Sequence, residues 1–375
     1  MSTLPTTRLL AAFAAGAIVF AGACGGDDDD ATSATETAGT DVAATDTAAT
    51  DIEGTDVAAT DVEGSSFPVT IEHAFGTTEV PSAPERIVTV GLTEQDSVLA
   101  LGMTPVGVTE WYGEQPYATW PWAQDELGDA EPEVLSRTDG FQYERIAALD
   151  PDLILGLNAG IDDESFARLS EIAPTIAHPA GAEAYFSPWR EQTRMIGQAL
   201  GKEADAEALI ADVDAEFEEA AAAHPEFEGV SVIFLQNAFY DGQAIAYQEG
   251  LSTDFLTDLG FVIPDELDPF VGAAEGSQAF IPLEQLSVLD AADVLLWATE
   301  SPDDRVALEQ EPLYMSLEEV QAGRQVFTDG LSAGAIYFTS PLSLPFALEA
   351  LVPAFTSTLA GEGPADAFGI PLLES

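Results

Sequence analysis

Apolar positions recur at spacings of three to five through residues 202–227, KEADAEALIADVDAEFEEAAAAHPEF, and predict a long helix. Ala208, Leu209, Val213, Phe217, Ala220 and Ala221 form its apolar stripe, and acids fill the other face. Ala, Glu and Leu are strong helix formers, and no Gly or Pro falls between Gly201 and Pro225. A helix of about 22 residues is roughly 33 Å long, the width of a small domain. The segment sits between two halves of like pattern. It is therefore expected to be a spine, residues 202–224, joining an N-terminal lobe, 67–201, to a C-terminal lobe, 225–375.

In the first half, the short apolar runs RIVTV (86–90), PVGVT (105–109), DLILGL (152–157) and Thr175–Ala177 read as buried strands. Helical patterns alternate with them at Glu94–Leu101, Tyr143–Leu149, Glu164–Ile172 and Pro188–Leu200. The second half repeats this, with strands at Ser231–Leu235, Val294–Trp297 and Gln325–Phe327. Its helices are expected at Thr253–Leu259, Leu283–Leu289, Arg305–Gln321 (interrupted near Pro312) and Pro345–Leu359. Strands alternating with helices predict an α/β fold with parallel-type sheets in both lobes. YERIAALDPDLIL (143–155) is echoed by LEQLSVLDAADVLL (283–296). In each, a Glu begins a short helix, Leu-Asp follows, and a buried strand comes next. Glu144 and Glu284 thus occupy matching places in the two halves.

The N-terminus departs from this pattern. Residues 1–23 carry Arg8 and then an apolar run rich in Ala and Gly, which suits a secretion signal better than a membrane span. Ala21-Gly22-Ala23-Cys24 resembles a bacterial lipobox, with Ala21 in place of the usual Leu, so Cys24 is the expected lipidation site. Secretion with cleavage nearby and no lipid is the plainer alternative. As the sole cysteine, Cys24 leaves no intrachain disulfide. Residues 24–66 repeat TDVAATD and hold few large apolar side chains, so they are expected to be an acidic disordered tether. The protein is then expected at the cell membrane, attached through lipid alone and facing outward, as a monomer.

Charge narrows the partners. The net charge is −57, from 67 acids and ten bases. Twelve of the acids lie in 25–66 and one base is Arg8, which leaves 55 acids against nine bases from residue 67 onward, about −46. Such a surface repels nucleic acid and anionic lipid. Lysine occurs once, and this imbalance suits a salty exterior in which screening weakens self-repulsion.

Catalytic motifs are sparse. His73, His178 and His224 are the only histidines, none of them in an HExxH or a cluster, so no protein metal site is expected. GxSxG, Walker A and GxGxxG are absent from their required settings. Aromatic residues instead gather after predicted strand ends: Trp111, Tyr112, Trp120 and Trp122, then Tyr185 and Trp189 in the first half. Tyr240, Tyr247, Trp297 and Tyr337 do so in the second. Ligands of open α/β sheets bind outside the carboxyl ends of strands, where rings give rigid contact area. Any single ring packs its own loop as readily as it meets a ligand; the set points to a lined cleft. Arg137 and Asn158 occupy similar loop positions, Arg137 being suited to an anionic oxygen or to a local ion pair.

PERIVTVGLTEQDSVLALGMTPVGVTEW, YERIAALDPDLILG, EIAPTI, TRMIGQALG, TDFLTDLGF, LEQLSVLDAADVLLW and PLYMSLEEVQAGRQVF, in that order, resemble the solute-binding proteins of ABC importers. The similarity is to the helix-backbone class serving iron–siderophore and cobalamin uptake. It implies two lobes on one rigid helix, ligand in the cleft between them, no enzymatic activity, and no cofactor beyond iron carried inside its chelator. It also implies that Glu144 and Glu284 dock on the membrane permease, although helix-start acids favoured by the macrodipole account for either alone. A ferric tris-catecholate would call for clustered bases, so a hydroxamate-type ferric siderophore ranks first, cobalamin second and haem third. An extracellular enzyme or adhesin on the same scaffold is the alternative of a different class.

Overall fold

The computed structural model describes residues 67–182, 184–272 and 278–369. The predicted signal, Cys24 and the tether lie outside them. All that follows concerns the compact unit within Glu63–Ser375. None of its described helices is long and apolar enough to cross a membrane.

The first lobe opens with an antiparallel hairpin, β1 (Val69–His73) and β2 (Gly76–Val80). Behind it stands a five-stranded sheet of β3 (Ile87–Thr89), β4 (Gly107–Glu110), β5 (Glu133–Ser136), β6 (Leu153–Gly156) and β7 (Thr175–Ala177). Its order is β5-β4-β3-β6-β7 and every pairing is parallel. Alternating side chains feed two cores. Ile87, Leu153 and Leu155 pack with the helices Glu94–Ala100 and Trp189–Leu200 on one face, while Val88 and Ile154 meet Ile146 and Leu169 on the other. The order reverses between β3 and β6, and a crevice at their carboxyl ends follows from that reversal.

The second lobe has six strands: β8 (Val232–Gln236), β9 (Gln243–Tyr247), β10 (Ala279–Pro282), β11 (Val294–Ala298), β12 (Gln325–Thr328) and β13 (Ala365–Ala367). In the order β10-β9-β8-β11-β12-β13, the last four are parallel, whereas β9 and β10 run antiparallel. The expected parallel-type sheet is thus mixed here. A tight turn through Asp241 and Gly242 sends the chain straight back beside β8, where a parallel neighbour would have needed a crossover.

The helix Glu203–Ala223, 21 residues long, joins the two. Its buried side chains are Ala206, Ile210, Val213 and Phe217, spaced four, three and four apart. The expected stripe is therefore rotated: Ala208 is exposed, and Ile210 takes the inward place. Ala206 belongs to a first-lobe core and Ile210, Val213 and Phe217 to the second-lobe core, so one helix is built into both. Arg190 reinforces the joint, pairing with Asp214 on this helix at 2.5 Å and with Asp258 of the second lobe at 2.7 Å. The echoed segments also differ in form. Tyr143–Ala148 is α-helical, but Leu283–Ala291 winds as a 3₁₀ helix.

Candidate functional site

The carboxyl ends of both sheets face one seam, and the loop after β4 fills much of it. Trp111 and Tyr112 leave the strand directly; Trp120 lies between two short 3₁₀ turns, Pro116–Ala118 and Pro121–Ala123, and Trp122 sits within the second. Trp120 stacks on Trp122 with ring centres 4.9 Å apart and planes 8° from parallel. Across the seam lies the helix Gly330–Tyr337, capped by Asp329, whose side chain accepts from the Ser332 N–H at 2.9 Å. A Cβ at Gly334 would come within 2.6 Å of the Trp120 ring, so the glycine is what lets the indole lie on the helix. The Tyr112 hydroxyl donates to the Gly330 carbonyl. Trp111 meets Phe338 edge-on at 5.3 Å, Phe186 stacks on Phe338 at 5.4 Å, and Trp122 touches Phe346 at 5.3 Å. The lobes are in contact here, ring against ring.

Two polar groups mark the floor on each side. In the first lobe, Asn158 follows β6 and its N–H donates to Glu94 Oε1 at 2.6 Å. Glu94 also accepts from the Thr93 N–H at 3.2 Å. Burial raises its pKa, against the lowering effect of those hydrogen bonds and of Arg137. In the second lobe, Asn237 follows β8 and Glu300 follows β11. The Tyr337 hydroxyl reaches Glu300 at 3.1 Å and donates to the Ala298 carbonyl at 2.8 Å. Burial raises the Glu300 pKa, and Asp304 adds to the rise. The Oδ1 atoms of Asn158 and Asn237 are both buried without a hydrogen-bond partner. Among the described residues, no group of three or more His, Cys, Asp or Glu is placed to hold a metal ion.

The seam brings together Trp111, Tyr112, Trp120, Trp122 and Tyr337 of the aromatic residues singled out in the sequence. Arg137 stands beside it, tied down by its own lobe. One guanidinium nitrogen donates to the carbonyls of Val90 and Ala159 at 3.2 and 2.7 Å, the other reaches the Tyr185 hydroxyl at 3.4 Å, and the group lies 4.0 Å over the Phe141 ring. Tyr185 and Tyr240 are exposed at 38% and 51%. Tyr247 is buried, stacked on Phe234 at 4.3 Å, with Phe186 6.1 Å away on its seam side. Trp189 and Trp297 are core residues of the second lobe's cluster. Trp297 has Phe239 and Tyr314 edge-on at 5.7 and 5.6 Å, which is the packing alternative for a ring at a strand end. Glu144 and Glu284 are exposed in the first turns of their helices.

Sequence reasoning passed over Glu94, Asp96, Glu300 and Ser340, whereas Phe186 and Phe338 belong to the aromatic runs after strand ends, beside Tyr185 and Tyr337. An acid at a helix start or strand end was the available signal, and in a chain with 67 acids it carries little weight.

A model of the periplasmic binding protein family matches residues 87–330. A probable siderophore-binding lipoprotein of Bacillus subtilis, YfiY, is 27% identical over 265 residues, 68% of this chain and 78% of its own. The crystal structure of a periplasmic solute binding protein from Mycobacterium smegmatis is 44% identical, covers 78% of this chain and 98% of its own, and superposes with a TM-score of 0.72. The Streptococcus pneumoniae protein PiaA in complex with ferrichrome is 26% identical, with a TM-score of 0.68 over 78% of this chain and 99% of that one. Matched from β3 to the glycine that receives Tyr112, the chain belongs to the periplasmic binding protein family.

Proposed function

We propose that this protein captures a ferric siderophore at the seam between its lobes and delivers it to the permease of an ABC importer. Lipid on Cys24 would hold it at the membrane, and the iron would arrive inside the chelator. The family, the siderophore-binding relative and the ferrichrome complex of the pneumococcal neighbour support the class of ligand. The observation that carries the finer reading is the placement of the nine bases in the folded part. Arg86 holds the carbonyls of Leu149 and Asp150, Arg168 covers the Tyr143 ring, and Arg145, Arg190, Arg194, Lys202, Arg305 and Arg324 pair with acids. Arg137 alone stands by the seam, with Glu300, Asp329 and Asp304 opposite Tyr112. A multiply anionic catecholate or citrate chelate would meet no cluster of cations there, so a neutral or cationic ferric hydroxamate is favoured.

Tryptophan fluorescence titrated in parallel with ferrichrome, ferric citrate, a ferric tris-catecholate, cobalamin and haem tests this. Quenching that saturates with ferrichrome at the lowest concentration is expected. Tighter binding of the catecholate would overturn the hydroxamate preference, and no response to any of the five would overturn the function. Exposed Glu144 and Glu284 are assigned to permease docking, where surface charge sets orientation and encounter rate. Charge reversal of both to Lys should abolish uptake by cells while ligand affinity is retained. Lost ligand binding would remove the assignment.

A further inference from the structure

Asp96 lies in the first turn of the helix Glu94–Ala100 and is 1% exposed. Its Oδ2 accepts from the Ser340 hydroxyl at 2.6 Å and from the Trp122 indole N–H at 2.8 Å. Ser340 belongs to the other lobe, 244 residues along the chain. It is held in place by Ser343, whose N–H donates to the Ser340 hydroxyl oxygen at 3.0 Å at the start of the helix Ser343–Leu359. Oδ1 of the same carboxylate is buried with no hydrogen-bond partner. We propose that Asp96, Ser340 and Trp122 form a clasp that holds the two lobes shut over a bound ligand, and that a proton on Asp96 tightens it. The inference concerns regulation of the binding seam and rests on the function proposed above for its ligand measurement.

The clasp is a carboxylate withdrawn from water on the closing surface itself. Burial pushes Asp96 up to about 6, and Glu126 adds to the rise; the hydrogen bonds from Ser340 and Trp122 oppose it. Few other charges face it. The C-terminal lobe brings only uncharged residues at 340–346, and the 3₁₀ turn Pro121–Ala123 has none that titrate. On the packed helix Trp189–Leu200, Arg190 and Arg194 are engaged by Asp214, Asp258 and Glu207, and Glu191 is exposed. Glu94 on its own helix turns its carboxylate to the N–H groups of Asn158 and Thr93.

Parting the lobes would return Asp96 to water and to its ordinary value of 3.8. The shut form therefore holds the proton more tightly than the open form. Closure is favoured as pH falls from about 6 toward 3.8 and loses that support above about 6. Because Oδ1 is unpartnered, it can take the proton while Oδ2 keeps both bonds. Linkage with these values makes opening roughly tenfold less favourable at about pH 5 than at about pH 7.5.

Stopped-flow release of ferrichrome at those two pH values tests the clasp. The native protein should release it roughly tenfold more slowly at the lower pH. Asp96→Asn keeps an acceptor oxygen and carries no charge, so its release should be slow and flat across the range. Ser340→Ala removes the partner from the opposite lobe without touching the charge and should release faster at neutral pH. Hydrogen exchange of the ligand-free proteins at a common neutral pH gives a second reading. Segments 118–123 and 340–344 should be more protected in Asp96→Asn than in the native protein, and less protected in Ser340→Ala. A native pH profile matched by Asp96→Asn, or exchange unchanged by either variant, would overturn the clasp. Absence of ferrichrome binding with the exchange differences intact would overturn the proposed function and leave the clasp standing.

Discussion

The two lobes meet the seam with unlike means. The first reaches across, sending Trp111, Tyr112, Trp120 and Trp122 out on the loop between β4 and β5. The second receives them on a helix kept open by Gly330 and Gly334, in front of the acids Asp329 and Glu300. Their floors are alike in kind, each with an asparagine beyond a strand end and a glutamate nearby, but not in setting. Glu94 is fully buried under two backbone N–H groups, whereas Glu300 is half-buried beside the Tyr337 hydroxyl. The first lobe thus supplies apolar contact area and the second an acidic platform. On the proposed function, charge selection would fall to the second lobe and grip to the first.

Two tryptophans put that division to its most severe test, since both are nearly inaccessible to water. Trp297 is 0% exposed within the second lobe's own core, and Trp120 is 2% exposed between the lobes. Trp297→Ala should cost about 3–5 kcal/mol, because the cavity lies inside a sheet that cannot collapse around it. Trp120→Ala should cost less, about 1–3 kcal/mol, because both lobes keep their cores and only the seam is emptied. Ligand affinity should follow the opposite order, with Trp120→Ala losing more than Trp297→Ala measured below its melting midpoint. Denaturant melts beside fluorescence titrations would show it. Equal stability losses would mean that the seam is part of one continuous core.

The sequence made one half of this contrast readable and hid the other. Strands buried on both faces, such as β6 and β11, are continuous apolar runs and were found with nearly their observed limits. The edge strand β5 and the antiparallel strand β9 mix polar and apolar residues, as does the hairpin β1–β2, and gave no comparable signal. In the spine, alanines tolerate either face, so the stripe was placed on Ala208 when Ala206 and Ile210 carry the burial. At the site, ring clusters after strand ends pointed to the seam, but nothing local separates Trp120 from Trp297. Which ring crosses between lobes depends on its partner, and Gly334 lies more than 200 residues from Trp120. The pairing of Asp96 with Ser340 is hidden for the same reason.

Gly334 sharpens the comparison at the smallest scale. Its backbone is ordinary helix, so the glycine there answers to space alone, and Ala would if anything favour the helix by about 1 kcal/mol. The added methyl would sit 2.6 Å from the end of the Trp120 ring, inside the contact distance. Trp120 cannot withdraw freely, because Trp122 lies stacked behind it and Trp122 is held by Asp96. The strain therefore falls on the seam and should amount to about 1–3 kcal/mol, offset in part by the helix gain. Gly334→Ala is thus expected to leave the melting midpoint nearly unchanged while raising hydrogen exchange in 118–123 and 340–344. If the seam were the rigid core of a single body, the same methyl would instead lower the midpoint and leave exchange at the seam as it was.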